Sequence, residues 1–118
     1  MEEMLQAAGA LGRLIAAHDS YRRLRAAESC VAAQPDLRKL LEDFETQRRK
    51  IADLERQTRP VEVEDKRELQ RLADAVHASA DLQELLRAQA DYLGVMNRVN
   101  RAIRQELDAA APPSSDPQ

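Results

Sequence analysis

Two histidines, one cysteine and three clusters of basic residues are the groups in this chain whose types and spacing could do chemistry. General acid or base catalysis needs a titratable side chain held in a pocket beside a partner, and a metal needs ligands that reach it from one side of an element. His18 and His77 stand in neither a His-x-x-x-His nor a Glu-x-x-His spacing, so neither zinc nor a di-iron centre is encoded around them. Both fall at helix ends, where imidazole ordinarily caps carbonyls or meets water. Cys30 is the only cysteine, which rules out an intrachain disulfide and suits a reducing compartment. Between Ala27 and Val31 it reads as a packed or partly buried thiol rather than a redox group or cluster ligand. Gly9 and Gly12 lack the strand context and further glycines of a phosphate loop. No enzyme, no metal and no cofactor is expected.

Arg22-Arg23-x-Arg25, Arg48-Arg49-Lys50 and the stripe Arg98, Arg101, Arg104 could each touch phosphates. Glu28 follows the first cluster, and Glu45 and Asp53 bracket the second at ion-pair spacing, which makes both solvated, self-neutralised faces. The third differs, because no acidic residue occurs from Gly94 to Gln105. With Asn97 and Asn100 it forms a positive polar strip, and Arg98, Asn100 and Arg101 are the candidate residues for an acidic partner or RNA. Across the 118 residues, 18 basic and 21 acidic side chains are interspersed to a net charge of −3. Such a surface has no long-range field for polyanions or acidic membranes, so nucleic acid is not the favoured partner. No run approaches the roughly 18 apolar residues of a membrane span, and the start Met1-Glu2-Glu3-Met4 is acidic where a signal peptide is basic. A cytoplasmic location is expected.

The elements that must position these groups are helices. Apolar residues recur at steps of three and four, with no sustained alternation of period two. Trp is absent, Phe44 is the single Phe, and Tyr21 and Tyr92 are the only Tyr, so large aromatic groups contribute little core. Ala, Leu, Glu, Arg and Gln dominate, which favours long helices that zip together, within a chain or between chains. Five segments follow from the punctuation. The first, from about Glu3 to Ala17, carries Met4, Ala8, Leu11 and Ile15 on one face with Leu5 and Leu14 beside it. Its Gly9 and Gly12 either weaken it or mark the close approach of another helix. His18-Asp19-Ser20 offers an N-cap for a second segment, Tyr21 to Ala33, unless the two are one kinked helix.

Pro35 opens the third, with Leu37, Leu40, Leu41, Phe44, Ile51 and Leu54 inward, and Thr58-Arg59-Pro60 ends it. Val61 to Asp65 reads as a connector to a short fourth helix with Leu69, Leu72 and Val76. Ser79 caps the fifth, Ala80 to about Ala109. Its seam, Leu82, Leu85, Gln89, Tyr92, Met96, Val99, Ile103 and Leu107, is close to a heptad repeat. Leu85, Gln89, Tyr92, Met96 and Ile103 are the candidate packing and oligomer residues. The fold class is therefore all-α: a helical hairpin or bundle of about five helices with a long C-terminal amphipathic helix. Residues 1–110 form a single domain, and the Pro- and Ser-rich tail 111–118 is expected to be disordered.

Three stretches carry a resemblance. Asp19-Ser20-Tyr21-Arg22-Arg23-Leu24 follows an amphipathic first helix. Gln34-Pro35-Asp36-Leu37-x-x-Leu40-Leu41-x-x-Phe44 opens the third helix. Leu82-x-x-Leu85-Leu86-x-Ala88-Gln89-x-x-Tyr92-Leu93-x-x-Met96-Asn97-x-x-Asn100-x-x-Ile103 forms the last. In this order the chain resembles the YlbF/YmcA family of small bacterial regulatory proteins, from about Leu5 to Leu107. The resemblance implies an all-α fold, homo-oligomers or hetero-complexes, and no enzymatic activity of its own. It implies a role in competence, sporulation or biofilm control, and a link to mRNA processing through a complex that adjusts an endoribonuclease. Some members are associated with iron–sulfur clusters through several cysteines; with Cys30 alone, no cluster is carried over. The reading that follows is a regulator or adaptor that homodimerises, or forms a higher homo-oligomer, and binds a protein partner through helix-in-groove contacts. The alternative is a direct RNA-binding module using the arginine face of the last helix.

Overall fold

Three of the five helices begin where a side chain bonds a backbone N–H of the first turn, and a fourth opens on a proline. The computed structural model describes residues 1–111, and its elements are α1 (Glu2–Ala16), α2 (Asp19–Ala32), α3 (Pro35–Arg56), α4 (Val63–His77) and α5 (Ala80–Ala109). Pro35 stands in the first turn of α3, where its missing N–H costs nothing. The Ser79 hydroxyl accepts the Leu82 N–H at 3.2 Å and starts α5. His18, rather than Asp19 or Ser20, caps α2: its Nδ1 accepts the Ser20 N–H at 3.1 Å and lies 2.9 Å from the Ser20 hydroxyl. Residues 17 and 18 therefore separate two helices, and α1 and α2 are not one kinked rod. α4 begins inside the expected connector, because the Glu62 N–H finds the Asp65 carboxylate at 3.3 Å, three residues on. The tail from residue 112 onward lies outside the described residues.

Packing is uneven along the chain. α2 runs antiparallel along the first half of α5, and α3 and α4 form a hairpin that joins them through shorter contacts. The core lies where α2 meets α5: Leu24, Ala27 and Val31 on α2, Leu82, Leu85 and Ala88 on α5, and Val76 from the end of α4. Leu37, Leu40, Leu41, Phe44, Leu86 and Tyr92 cover it in part. α1 and α3 bury no residue fully. The radius of gyration is 20.3 Å, against about 13 to 14 Å for a compact domain of this length. Helices thus extend beyond the core that anchors them.

Polar clamps hold the α3–α4 hairpin. Lys50 reaches Asp65 at 2.8 Å, and the Gln47 amide donates to the Asp65 carbonyl at 2.9 Å. The bonded Lys50 ammonium, helped by the Glu62 N–H, holds the Asp65 carboxyl below its usual range. At the far end of α3, the Arg59 N–H bonds the Leu54 carbonyl at 2.8 Å and the Thr58 N–H bonds Glu55 at 3.1 Å. This pair of bonds closes the helix with a left-handed residue, and that residue is Thr58, at φ 56°.

Two predictions follow from these ends. A β-branched side chain in the left-handed region is strained by about 1 to 2 kcal/mol, partly offset in glycine by backbone entropy. Thr58→Gly is expected to raise stability by up to about 1 kcal/mol, read as a higher urea midpoint at unchanged slope. An unchanged or lower midpoint would contradict the strained cap. Because the folded carboxyl of Asp65 titrates below its unfolded value, its contribution is complete above about pH 4 and is lost as pH falls through the lowered folded value. The stability gap between the native chain and Asp65→Asn should be flat near neutrality and should narrow in acid; a gap that widens in acid would be the wrong sign.

Candidate interaction site

The last helix changes character midway. Over its first three turns Leu82 and Ala88 are completely buried and Leu85 nearly so. The contact with α2 ends where the Tyr21 and Tyr92 rings meet, 5.8 Å apart and tilted by 55°. Arg23 clasps the outer edge, bonding Glu84 and Asp91 at 3.1 Å each across the two helices. Those two carboxylates raise the Arg23 pKa further above its already high ordinary value. Beyond Tyr92, α5 runs on for about 26 Å at 1.5 Å per residue. There Val95, Met96 and Val99 are half-buried, and Ile103 and Leu107 are exposed at 47% and 66%.

The seam residues chosen from spacing therefore divide. Leu85 is core, Tyr92 and Met96 are half-buried, and Ile103 and Gln89 are exposed. Ala88 takes the inward position that heptad spacing gives to Gln89. At 100° per residue, positions 88 and 89 lie on opposite sides of the line from Leu85 to Tyr92, and α2 covers the side of Ala88. A methyl group there lets the two helices approach closely.

The basic clusters divide as well. Arg22 pairs with Asp19 at 3.4 Å, Arg25 with Glu28 at 3.3 Å, and Arg23 with α5 as above. In the second cluster Arg48 lies over the Phe44 ring at 5.6 Å and Lys50 crosses to Asp65, instead of pairing with Glu45 or Asp53. Arg98, Asn100, Arg101 and Arg104 are exposed, and none of the three arginines has an ion pair among the described residues. They flank the uncovered apolar stripe of the same helix.

The remaining candidates sit apart from this surface. His77 is the last residue of α4 and exposed. Cys30 is exposed too, so the packed thiol expected from the sequence is corrected: it stands at the outer edge of the α2–α3 corner. Crowding by its neighbours and the nearby Asp81 carboxylate push that thiol up, while the Gln34 amide, 3.6 Å from Sγ, opposes them. Among the described residues no three His, Cys, Asp or Glu side chains gather as metal ligands. No helix there is long and apolar enough to cross a membrane.

Spacing alone did not foretell that α1 would be left bare. Met4, Leu5 and Leu14 are more than half exposed, and only Leu11 and Ile15 are partly covered. Its glycines mark no close approach of another helix within the chain: a Cβ on Gly12 would meet nothing, and one on Gly9 only the Arg13 side chain at 3.7 Å. Neither glycine is needed for packing within the chain.

The family model described as "Control of competence regulator ComK, YlbF/YmcA" matches residues 4–108. No curated protein matches the chain.

The buried and exposed neighbours on α5 make a paired test. Ala88→Leu forces a larger side chain into the helix contact and should destabilise the fold by about 1 to 3 kcal/mol. Gln89→Ala should change stability by less than about 0.5 kcal/mol, as exposed substitutions do. Equal effects in thermal unfolding would contradict the packing described for α5.

Proposed function

The chain belongs to the YlbF/YmcA family of regulators, and from that premise we propose that it is a non-enzymatic helical adaptor that acts as a homodimer in the cytoplasm. The family description ties its members to control of a competence regulator. One observation carries the finer reading: α5 extends well past the core with an apolar stripe that is half-buried at Met96 and Val99 and exposed at Ile103 and Leu107, and an unpaired basic strip beside it. A surface of that kind suits docking, because the apolar stripe supplies contact area and the polar strip selects the partner. Met96 and Ile103 would form the packing centre, while Arg98, Asn100 and Arg101 would face an acidic protein partner, such as a component of an RNA-processing complex. Competence, sporulation and biofilm formation are the processes such a complex would serve.

A second reading has its own observation in its favour. Arg98, Arg101 and Arg104 of α5 are free of carboxylate partners among the described residues, so phosphates could take that role. RNA binding through them would weaken steeply with salt, whereas a protein contact centred on the apolar stripe would not.

Light scattering on the eluting native protein is expected to give twice the chain mass, and Ile103→Glu to halve it without lowering helicity. A native monomer at micromolar concentration would sink the dimer. Arg98→Glu with Arg101→Glu should leave the dimer intact and abolish capture of the protein partner. A salt-sensitive gel shift with RNA, lost in that double variant, would instead favour the second reading.

A further inference from the structure

Two apolar stripes in this molecule are covered only in part within it, and they correspond. The first is the outer half of α5, with Val99, Ile103 and Leu107 at four-residue steps and Met96 beside them. It continues the face that α2 covers. α2 and α5 run antiparallel, with Gln34 bonded to Asp81 at 2.9 Å at one end and Tyr21 against Tyr92 at the other. The residues that precede Tyr21 are therefore those the chain direction would lay along α5 beyond Tyr92. Those residues are α1, and the break at residues 17 and 18 turns them away.

The second stripe is α1 itself. It has only three charged residues, Glu2, Glu3 and Arg13, the fewest of the five helices, yet it buries nothing fully. Met4, Ala8, Leu11 and Ile15 form its apolar line, with exposed Leu5 and Leu14 on the flanks. The 15 residues of α1 span about 22 Å, the same length as positions 95–109 of α5.

We propose that each stripe is covered by the other in a second copy of this chain: α1 of each protomer lies on residues 95–109 of its partner's α5, in reciprocal exchange. This rests on the dimer reading above and assigns the segment that makes the dimer. A two-fold axis relates the two contacts, so α1 of one protomer meets α5 of its partner and the reverse, with no stripe left open. One helix face of about 22 by 10 Å covers only about 220 Å², and exchange, which engages two faces on each copy at once, doubles this to about 440 Å², about half of the roughly 800 Å² per partner of a standard interface, so the two contacts together hold what neither would hold alone. Charge agrees in sign. α1 carries a net −1 from its side chains, and the α5 stretch from Gly94 to Gln105 carries Arg98, Arg101 and Arg104 with no acid. An anionic lipid surface, by contrast, would be repelled by Glu2 and Glu3.

The test uses full-length chains in a Cys30→Ser background. One carries A8C and the other I103C, each at the middle of its stripe, and the two are mixed, equilibrated and oxidised. Exchange predicts a mixed A8C–I103C disulfide dimer in excess over either self-disulfide. A second variant, Met4→Lys with Ala8→Lys, changes only exposed positions of α1, sets positive charge against the α5 arginines, and should raise the dimer dissociation constant about tenfold or more at unchanged helicity. A dimer that forms no mixed disulfide, or that ignores the α1 charges, overturns the exchange and leaves the dimer reading standing. A native protein that scatters as a monomer overturns both.

Discussion

Leu82, Leu85 and Ala88 on α5 meet Leu24, Ala27 and Val31 on α2 across one short antiparallel contact, and Val76 closes its end. The whole fully buried cluster is made of these side chains. None is aromatic, and two are alanines, so the cluster gains less from burial than a core of comparable length built on Phe or Trp would. Its strength lies in closeness: alanine at 27 and 88 lets two helices approach until the flanking leucines interlock. Every other element is located by reference to that contact. α3 reaches it through half-buried leucines and Phe44, α4 through the buried Val76, Arg23 fastens its rim, and the free half of α5 is aimed by the half that it holds.

Local chemistry was the legible part of the sequence. Pro35 and Ser79 mark helix starts by what their own atoms do, so they were readable without tertiary knowledge. The five helices and most of the apolar lines followed from period and punctuation. Gln89 against Ala88 was not legible for a physical reason. Both lie within about 60° of the stripe centre, and which one is buried depends on the side from which α2 arrives. The start of α4 hid behind an unusual pairing, Glu62 with Asp65 in place of a hydroxyl cap. The candidate partner residues Arg98, Asn100 and Arg101 were legible by charge counting alone, since the absence of carboxylates from Gly94 to Gln105 is a property of composition.

The same comparison explains why the basic clusters differ in meaning. Arginines on α2 find carboxylates on their own helix or across the contact, so their charge is absorbed into holding the fold. Exposed pairs of this kind add little net stability, but they leave no free charge for a partner. Arginines on the outer half of α5 form no ion pair among the described residues. Position along one helix, rather than residue type, thus separates charges that organise the chain from charges that can organise something else.

An isolated helix of about 15 residues is marginal in water, because the cost of nucleation is repaid only by packing. α1 and the end of α5 are such helices here, anchored at one end and bare along the rest. Whatever covers them binds the folded chain and not the unfolded one, so it adds RT ln(1 + [L]/Kd) to stability. In a self-associating chain the ligand is the chain itself. Association then adds to the stability of helices that the single chain already forms, by an amount set by protomer concentration. The small α2–α5 core holds the two stripes in position, helical and only partly covered.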